Sequence, residues 1–248
     1  MSDHEPCDEE DAGFLARELE WEGQRLPYVV HRQPDFRARE RWPVIVFLHG
    51  LGQCGDDGMD HIRVGLPPLL HQHPEDWPFV SILPQKPLPE QEWSDLEGAI
   101  LAMVERAVDM DRADPGRVHL TGLSQGGHGA LRLGAAHPER WRTVSAICPY
   151  VAPPLEGWSA DAPAGSWPTD LEAAAEALAE GLRGTPTWLL HGSADEAVPV
   201  SHSLALHEAL QPRNPEARLT IYPGAGHEVW TPAYAMEGLW RWMESQQL

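Results

Sequence analysis

The chain has 248 residues, 42% hydrophobic and 23% charged, which excludes a disordered or fibrous protein and suits an α/β domain of ordinary composition. Acidic residues number 38 against 18 basic ones, leaving a formal charge of −20. That field repels nucleic acid and anionic lipid and disfavours highly anionic substrates, and no apolar run reaches the ~18 residues of a membrane span.

In chain order, residues 1–15 are rich in acids (Asp3, Glu5, Asp8, Glu9, Glu10, Asp11) and read as a solvated tail. They do not fit the basic-then-apolar pattern of a signal peptide. Residues 16–248 read as a single α/β domain. Pro27–His31 predicts an edge strand. Pro43–Leu48 and Pro78–Leu83 are short continuous apolar runs, as buried parallel strands require. Asp95–Met110 carries apolar residues three to four apart and predicts a helix capped by Asp95. Arg117–Leu120 predicts a strand, and Gln125–Ala136 a helix directly behind it. Thr143–Ile147 predicts the next strand. The proline-rich stretch Ala152–Pro168 is long for a loop and reads as a lid or pocket loop. Thr169 with Glu172 forms a capping-box pattern for a helix to about Leu182. Thr187–Leu190 and Arg218–Tyr222 predict strands, and Ser201–Leu210 and Ala233–Met243 helices. Strands alternating with helices imply a mainly parallel sheet covered on both faces.

Cys7, Cys54 and Cys148 are odd in number and share no metal-type spacing, so no disulfide framework is expected. Reduced thiols without an export pattern point to the cytoplasm. Lys86 is the only lysine. The arginine excess over lysine reads as compositional bias, and the net charge of −20 admits salt adaptation, since salt screens the self-repulsion.

Gly122-Leu123-Ser124-Gln125-Gly126 matches G-x-S-x-G between a predicted strand and a predicted helix. A nucleophile elbow needs that placement. The helix start points free N–H groups at the reacting oxygen. A serine hydroxyl needs a base. His227, in a glycine-rich loop after the last predicted strand, is the candidate, and Asp195, after the Thr187–Leu190 strand, is the acid that would orient it. Glu196 and Asp161 are weaker candidates for the acid. The order Ser, Asp, His is the one expected on an α/β-hydrolase fold. The loop His49-Gly50-Leu51 ends an early strand, so the backbone N–H groups of Leu51 and Gln125 are the candidate oxyanion donors.

These pieces resemble the serine esterases of the α/β-hydrolase superfamily, in particular the phospholipase/carboxylesterase and "predicted peptidase" branch. The likeness runs from about Leu26 to Trp242, through Trp42-Pro-Val-Ile-Val-Phe-Leu-His-Gly, Leu83-Pro-Gln, Gly122-Leu-Ser-Gln-Gly-Gly-His-Gly-Ala, Leu190-His-Gly-Ser-Ala-Asp and Gly226-His-Glu-Val-Trp. It implies catalytic roles for Ser124, Asp195 and His227 and oxyanion roles for Leu51 and Gln125. Many relatives carry an acidic–basic pair where this chain has Gln53 and Cys54, so no substrate contact is carried over there.

Several residues admit plainer readings. His49 reads as a brace for the oxyanion loop, His71 and His73 as a solvated loop without a third ligand, and Cys54 as an unactivated thiol. Trp93, Trp158, Trp167 and Trp230 fall in loops that reach the site edge of the sheet, where they either wall an aromatic pocket or simply pack. The sequence therefore predicts a serine carboxylesterase acting on short- to medium-chain or aromatic acyl esters, with no metal or organic cofactor and a small-molecule ester as its partner. A thioesterase or peptidase on the same residues, and a non-catalytic binding module on the same fold, are the alternatives. The oligomeric state is not specified.

Overall fold

Two strands, β1 (Gly13–Trp21) and β2 (Gln24–Arg32), form an antiparallel hairpin at the start of the computed structural model, which describes residues 12–157 and 166–246. Glu22 and Gly23 between them both hold positive φ (50° and 80°), the two-residue turn whose twist matches that of its strands. Gly13, Phe14 and Leu15, read from sequence as tail, belong to β1. The strand was not predicted because Arg17 takes an inward position and breaks the apolar alternation. Its guanidinium lies 2.5 and 2.6 Å from the two oxygens of buried Asp111, and Arg32 Nε donates to the same carboxylate at 2.8 Å. The ion pair fastens the hairpin to the C-terminal end of the helix Glu97–Met110.

The remaining strands are β3 (Trp42–Leu48), β4 (Val80–Pro84), β5 (Ala113–Leu123), β6 (Thr143–Ile147), β7 (Thr187–Gly192) and β8 (Arg218–Tyr222). The eight strands lie in the order β1-β2-β4-β3-β5-β6-β7-β8, parallel from β4 to β8. This is the α/β-hydrolase fold class expected. β3 alternates as a doubly covered strand must. Val44, Val46 and Leu48 enter one core, with Ile100, Met103, Leu131 and Leu206, while Ile45 and Phe47 enter the other, with Tyr234, Leu239 and Met243. Each such burial contributes about 2 kcal/mol.

The helices are α1 (Pro67–Gln72), α2 (Glu97–Met110), α3 (Gln125–Ala136), α4 (Glu172–Gly181), α5 (Ser201–Leu210), α6 (Trp230–Ala235) and α7 (Glu237–Ser245). Four differ from expectation, α1 among them, since it places His71 on a helix where a solvated loop was expected. Asp95 does not cap α2; with Glu92 it forms a capping box on a short 3₁₀ turn, Trp93–Leu96, that leads into the helix. α4 starts at Glu172 with no side-chain cap, so the Thr169 box is not formed. The single helix expected over Ala233–Met243 is two, separated at Met236, whose ψ of 110° is extended. No helix among the described residues is long and apolar enough to cross a membrane.

The sheet order reverses at β3: β4 lies on one side of it and β5 on the other. Ligands on open α/β sheets bind outside the strand ends at such a switch point. There the loop after β3 brings Gly50 and Leu51, and the end of β5 brings Ser124.

Candidate active site

Ser124 stands between β5 and α3 at φ 54° and ψ −119°, a conformation glycine adopts freely and serine only under strain. It is held there by contacts a larger residue would prevent. A Cβ on Gly126 would sit 2.0 Å from the Leu48 carbonyl oxygen, and one on Gly122 2.2 Å from that of Gly126. The Ser124 N–H donates to the Ile147 carbonyl at 2.8 Å.

The structure brings the three predicted residues together. Ser124 Oγ lies 2.9 Å from His227 Nε2, and His227 Nδ1 lies 2.7 Å from Asp195 Oδ2. A carboxylate only accepts, so the imidazole proton is on Nδ1 and Nε2 is left to accept from the serine. The loops carrying Asp195 and His227 are stitched by Ser193 N–H to Tyr222 O (3.0 Å) and Ala194 N–H to Ala225 O (2.9 Å). Asp195 Oδ1 accepts from the N–H groups of Ala197 and Val198 at 2.9 and 2.8 Å. Burial pushes its carboxyl pKa up, but hydrogen bonds from His191, His227 and Val198 N–H outweigh burial and hold it well below the usual carboxylate range.

Gly50 lies against the serine: a Cβ there would stand 3.6 Å from Ser124 Cβ. Its carbonyl is 2.6 Å from His49 Nδ1, while His49 Nε2 accepts from the Lys86 N–H at 2.9 Å. The Gly50 oxygen is thus turned to His49, which aims the Leu51 N–H of the same peptide the other way. Burial pushes the His49 pKa down to about 3, so it braces this loop as a neutral ring. Gln125 is the first residue of α3, so its N–H has no partner within the helix. Its side-chain amide donates to the Pro89 carbonyl at 2.9 Å. That carbonyl, with those of Leu88 and Gln91, surrounds the fully buried Lys86 ammonium at 3.3, 2.5 and 2.7 Å.

Ser124 and His227 open into a cavity of about 380 Å³ walled by Leu51, Val64, Leu123, Val198 and Trp230, with Gln53 and Glu228 at its polar side. Of the three candidate tryptophans among the described residues, Trp230 alone meets this wall, edge-on to His227 with centroids 5.5 Å apart. Trp93 is a correction: it is fully buried under the His49–Leu51 loop, against His49 and donating to the His49 carbonyl at 3.1 Å, because its indole fills the gap beside α3. Trp167 acts at one remove, donating to the Ala197 carbonyl at 2.9 Å behind the wall. Trp158 lies outside the described residues. Val64, Leu123 and Val198 had no signal beyond their apolar character. A wider hollow of about 720 Å³ between α4 and α5 is lined by Asp170, Glu172, Glu176 and Glu208 and lies apart from Ser124.

Among the described residues, Cys148, Asp195 and His227 form a group of metal-type ligands, their atoms within 4.8 Å of one another. They do not fit a metal. Both imidazole nitrogens and both carboxylate oxygens are already engaged, and burial, then the Asp195 charge, pushes the Cys148 thiol well up. His71 packs beside Phe14. Burial likewise raises the Cys54 thiol pKa despite Lys86 nearby.

The chain is 31% identical over 157 residues to "Putative esterase NocK" of Nocardia uniformis subsp. tsuyamanensis, a match covering 59% of this chain and 44% of that protein. The chain thus aligns with less than half of that relative. Among solved structures, a thermostable esterase superposes with a TM-score of 0.72 at 23% identity, over 93% of this chain and 62% of the other. The ferulic acid esterase Fae1A of Anaeromyces mucronatus superposes with a TM-score of 0.65 at 17% identity, over 99% and 95%. These structural likenesses carry the fold. The prolyl oligopeptidase family profile matches residues 92–246, which span the elbow and the Asp195 and His227 loops. On that match, the chain belongs to the prolyl oligopeptidase family.

Proposed function

We propose that the chain hydrolyses carboxylic esters through an acyl-enzyme on Ser124. His227 Nε2 takes the serine proton as Oγ attacks the ester carbonyl, and Asp195 steadies the imidazolium that results. The N–H groups of Leu51 and Gln125 receive the oxyanion. His227 then protonates the departing alcohol, activates a water, and the acid leaves. The observation that carries this reading is the Ser124–His227–Asp195 chain of hydrogen bonds at 2.9 and 2.7 Å, opening into a mainly apolar cavity. A cavity of about 380 Å³ is of small-ligand size and suits short- to medium-chain or aromatic acyl esters.

Fluorophosphonate labelling with peptide mapping, beside a p-nitrophenyl ester series, tests the proposal. A single adduct on Ser124 and turnover of short esters are expected. No adduct and no turnover on folded protein would sink the proposal and favour a non-catalytic binding module. The family match favours a peptidase as the second reading. Amides demand stronger leaving-group protonation than esters. Matched ester, thioester and anilide substrates separate these readings, with the ester expected to be fastest.

A further inference from the structure

Asp195 serves two histidines. Besides His227, it meets His191 at the C-terminal end of β7, whose Nε2 lies 3.2 Å from the same Oδ2 and 3.0 Å from the Val198 carbonyl oxygen. Both neighbours only accept, so the His191 proton sits on Nε2. Its Nδ1 then accepts from Ser203 Oγ on α5, 2.7 Å away. His191 and Ser203 are fully buried. The result is a second serine–histidine pair behind the carboxylate, sealed in the core, while the first faces the cavity.

We propose that His191 is a positioning residue for the reaction proposed above, and the inference rests on that reading of Ser124, His227 and Asp195. Its Nε2–H, hydrogen-bonded to the Val198 carbonyl and 3.2 Å from Asp195 Oδ2, is shared between the two, steadies Oδ2 in line with His227 and takes up part of its negative charge. That sharing sets how tightly His227 keeps its proton. Removing the donor concentrates charge on Oδ2 and strengthens its hold on the imidazolium. The Val198 carbonyl contact also pins the turn whose N–H groups hold Asp195 Oδ1.

The other titratable groups packed around this pair are Cys148 on the β6 side and His202 on α5. Burial pushes the thiol well up and His202 down to about 4. Neither changes charge between about pH 5 and 8. Glu196 and Glu228 are neighbours in sequence, common to every variant below.

The test compares His191→Leu with His191→Gln. Glutamine places an amide N–H near the Nε2 position; leucine places none. Active sites are counted by fluorophosphonate labelling, and kcat and KM are measured from pH 5 to 9. For His191→Leu, kcat per labelled site is expected to fall about tenfold with KM little changed, the cost of one charge-assisted hydrogen bond. The acidic limb of kcat/KM moves to higher pH. His191→Gln keeps most of the rate and the wild-type limb.

A purely structural role would lower the number of labelled sites and leave the rate per site and the limb unmoved, and that result overturns the proposal. So does a His191→Gln protein as slow as His191→Leu with an unmoved limb. If His191→Leu does not fold, His191→Asn, polar but too short to reach Asp195, carries the same expectation and the same refutation. A wild-type protein that neither labels nor turns over ester defeats the ester-hydrolase reading instead, so the two failures are distinguishable.

Discussion

Replacing Asp195 by asparagine tests the whole geometry with one atom. Oδ1 accepts two backbone N–H groups, from Ala197 and Val198, at 2.9 and 2.8 Å. The asparagine oxygen must stay there, because those two backbone N–H donors are fixed, whereas the other position faces His227 and, at 3.2 Å, His191, imidazoles that can change tautomer. The NH₂ therefore takes the Oδ2 position, facing His227 Nδ1. His227 can accept that N–H only by moving its own proton to Nε2, the atom that faces Ser124 Oγ at 2.9 Å. The base is then already protonated on the side where it must act. The fold should survive, since shape and most hydrogen bonds are kept. A wrong tautomer costs about 10⁴ in kcat, equivalent to about 5.5 kcal/mol of transition-state stabilisation. The assay is kcat for p-nitrophenyl acetate per folded molecule, with folding checked by calorimetry. A rate within tenfold of wild type would refute the reasoning, because it would mean that the proton on Nδ1 is not held by the carboxylate.

Other perturbations read different parts of the molecule. Ser124→Ala should abolish ester turnover and fluorophosphonate labelling with the fold retained, whereas Ser124→Gly should be more stable than Ser124→Ala by about 1 kcal/mol, since glycine relieves the strain at φ 54°; equal melting temperatures would show that no strain is stored. Gly126→Ala drives a Cβ to 2.0 Å from a backbone oxygen and should cost more than about 3 kcal/mol by denaturant titration; a wild-type midpoint would contradict that close approach. Burial pushes His31, His61, His128 and His202 to about 4 and His49 and His119 to about 3. Protons then bind the unfolded chain first, so stability present above about pH 6.5 is lost as the pH falls toward 4, and a Tm unchanged from pH 7 to 4.5 would overturn this. Finally, with a net charge of −20, kcat/KM for a cationic ester should fall with added salt and that for an anionic ester should rise; the same slope for both would remove steering from the account.

The strands that carry the site were legible because each is buried on both faces and so reads as an unbroken apolar run. β3, β6 and β8 appear at or within a residue of the expected bounds. β1 was hidden by Arg17, whose inward place depends on Asp111, 94 positions away, a partner no local pattern announces. Ser124, Asp195 and His227 could be paired from sequence because each follows a strand at one edge of a parallel sheet, and their distances agree with that placement. The cavity wall was not legible. A tryptophan near the site edge can face the cavity, as Trp230 does, or fill a gap beneath it, as Trp93 does, and only packing decides. His191 escaped notice for a related reason: at the end of an apolar strand it looks like a core histidine, and its contact with Asp195 follows from the turn between them.

The caged Lys86 ammonium has a practical consequence. It is the only lysine in the chain, and its side chain is enclosed by three carbonyls with no solvent exposure. The folded chain therefore offers amine-directed reagents no lysine, and the acyl groups that the proposed chemistry would pass through Ser124 have no side-chain amine to stray onto. Once the fold opens, a single new target appears. Acylation at Lys86 should then track the fraction of opened molecules, a clock for local unfolding written into the composition.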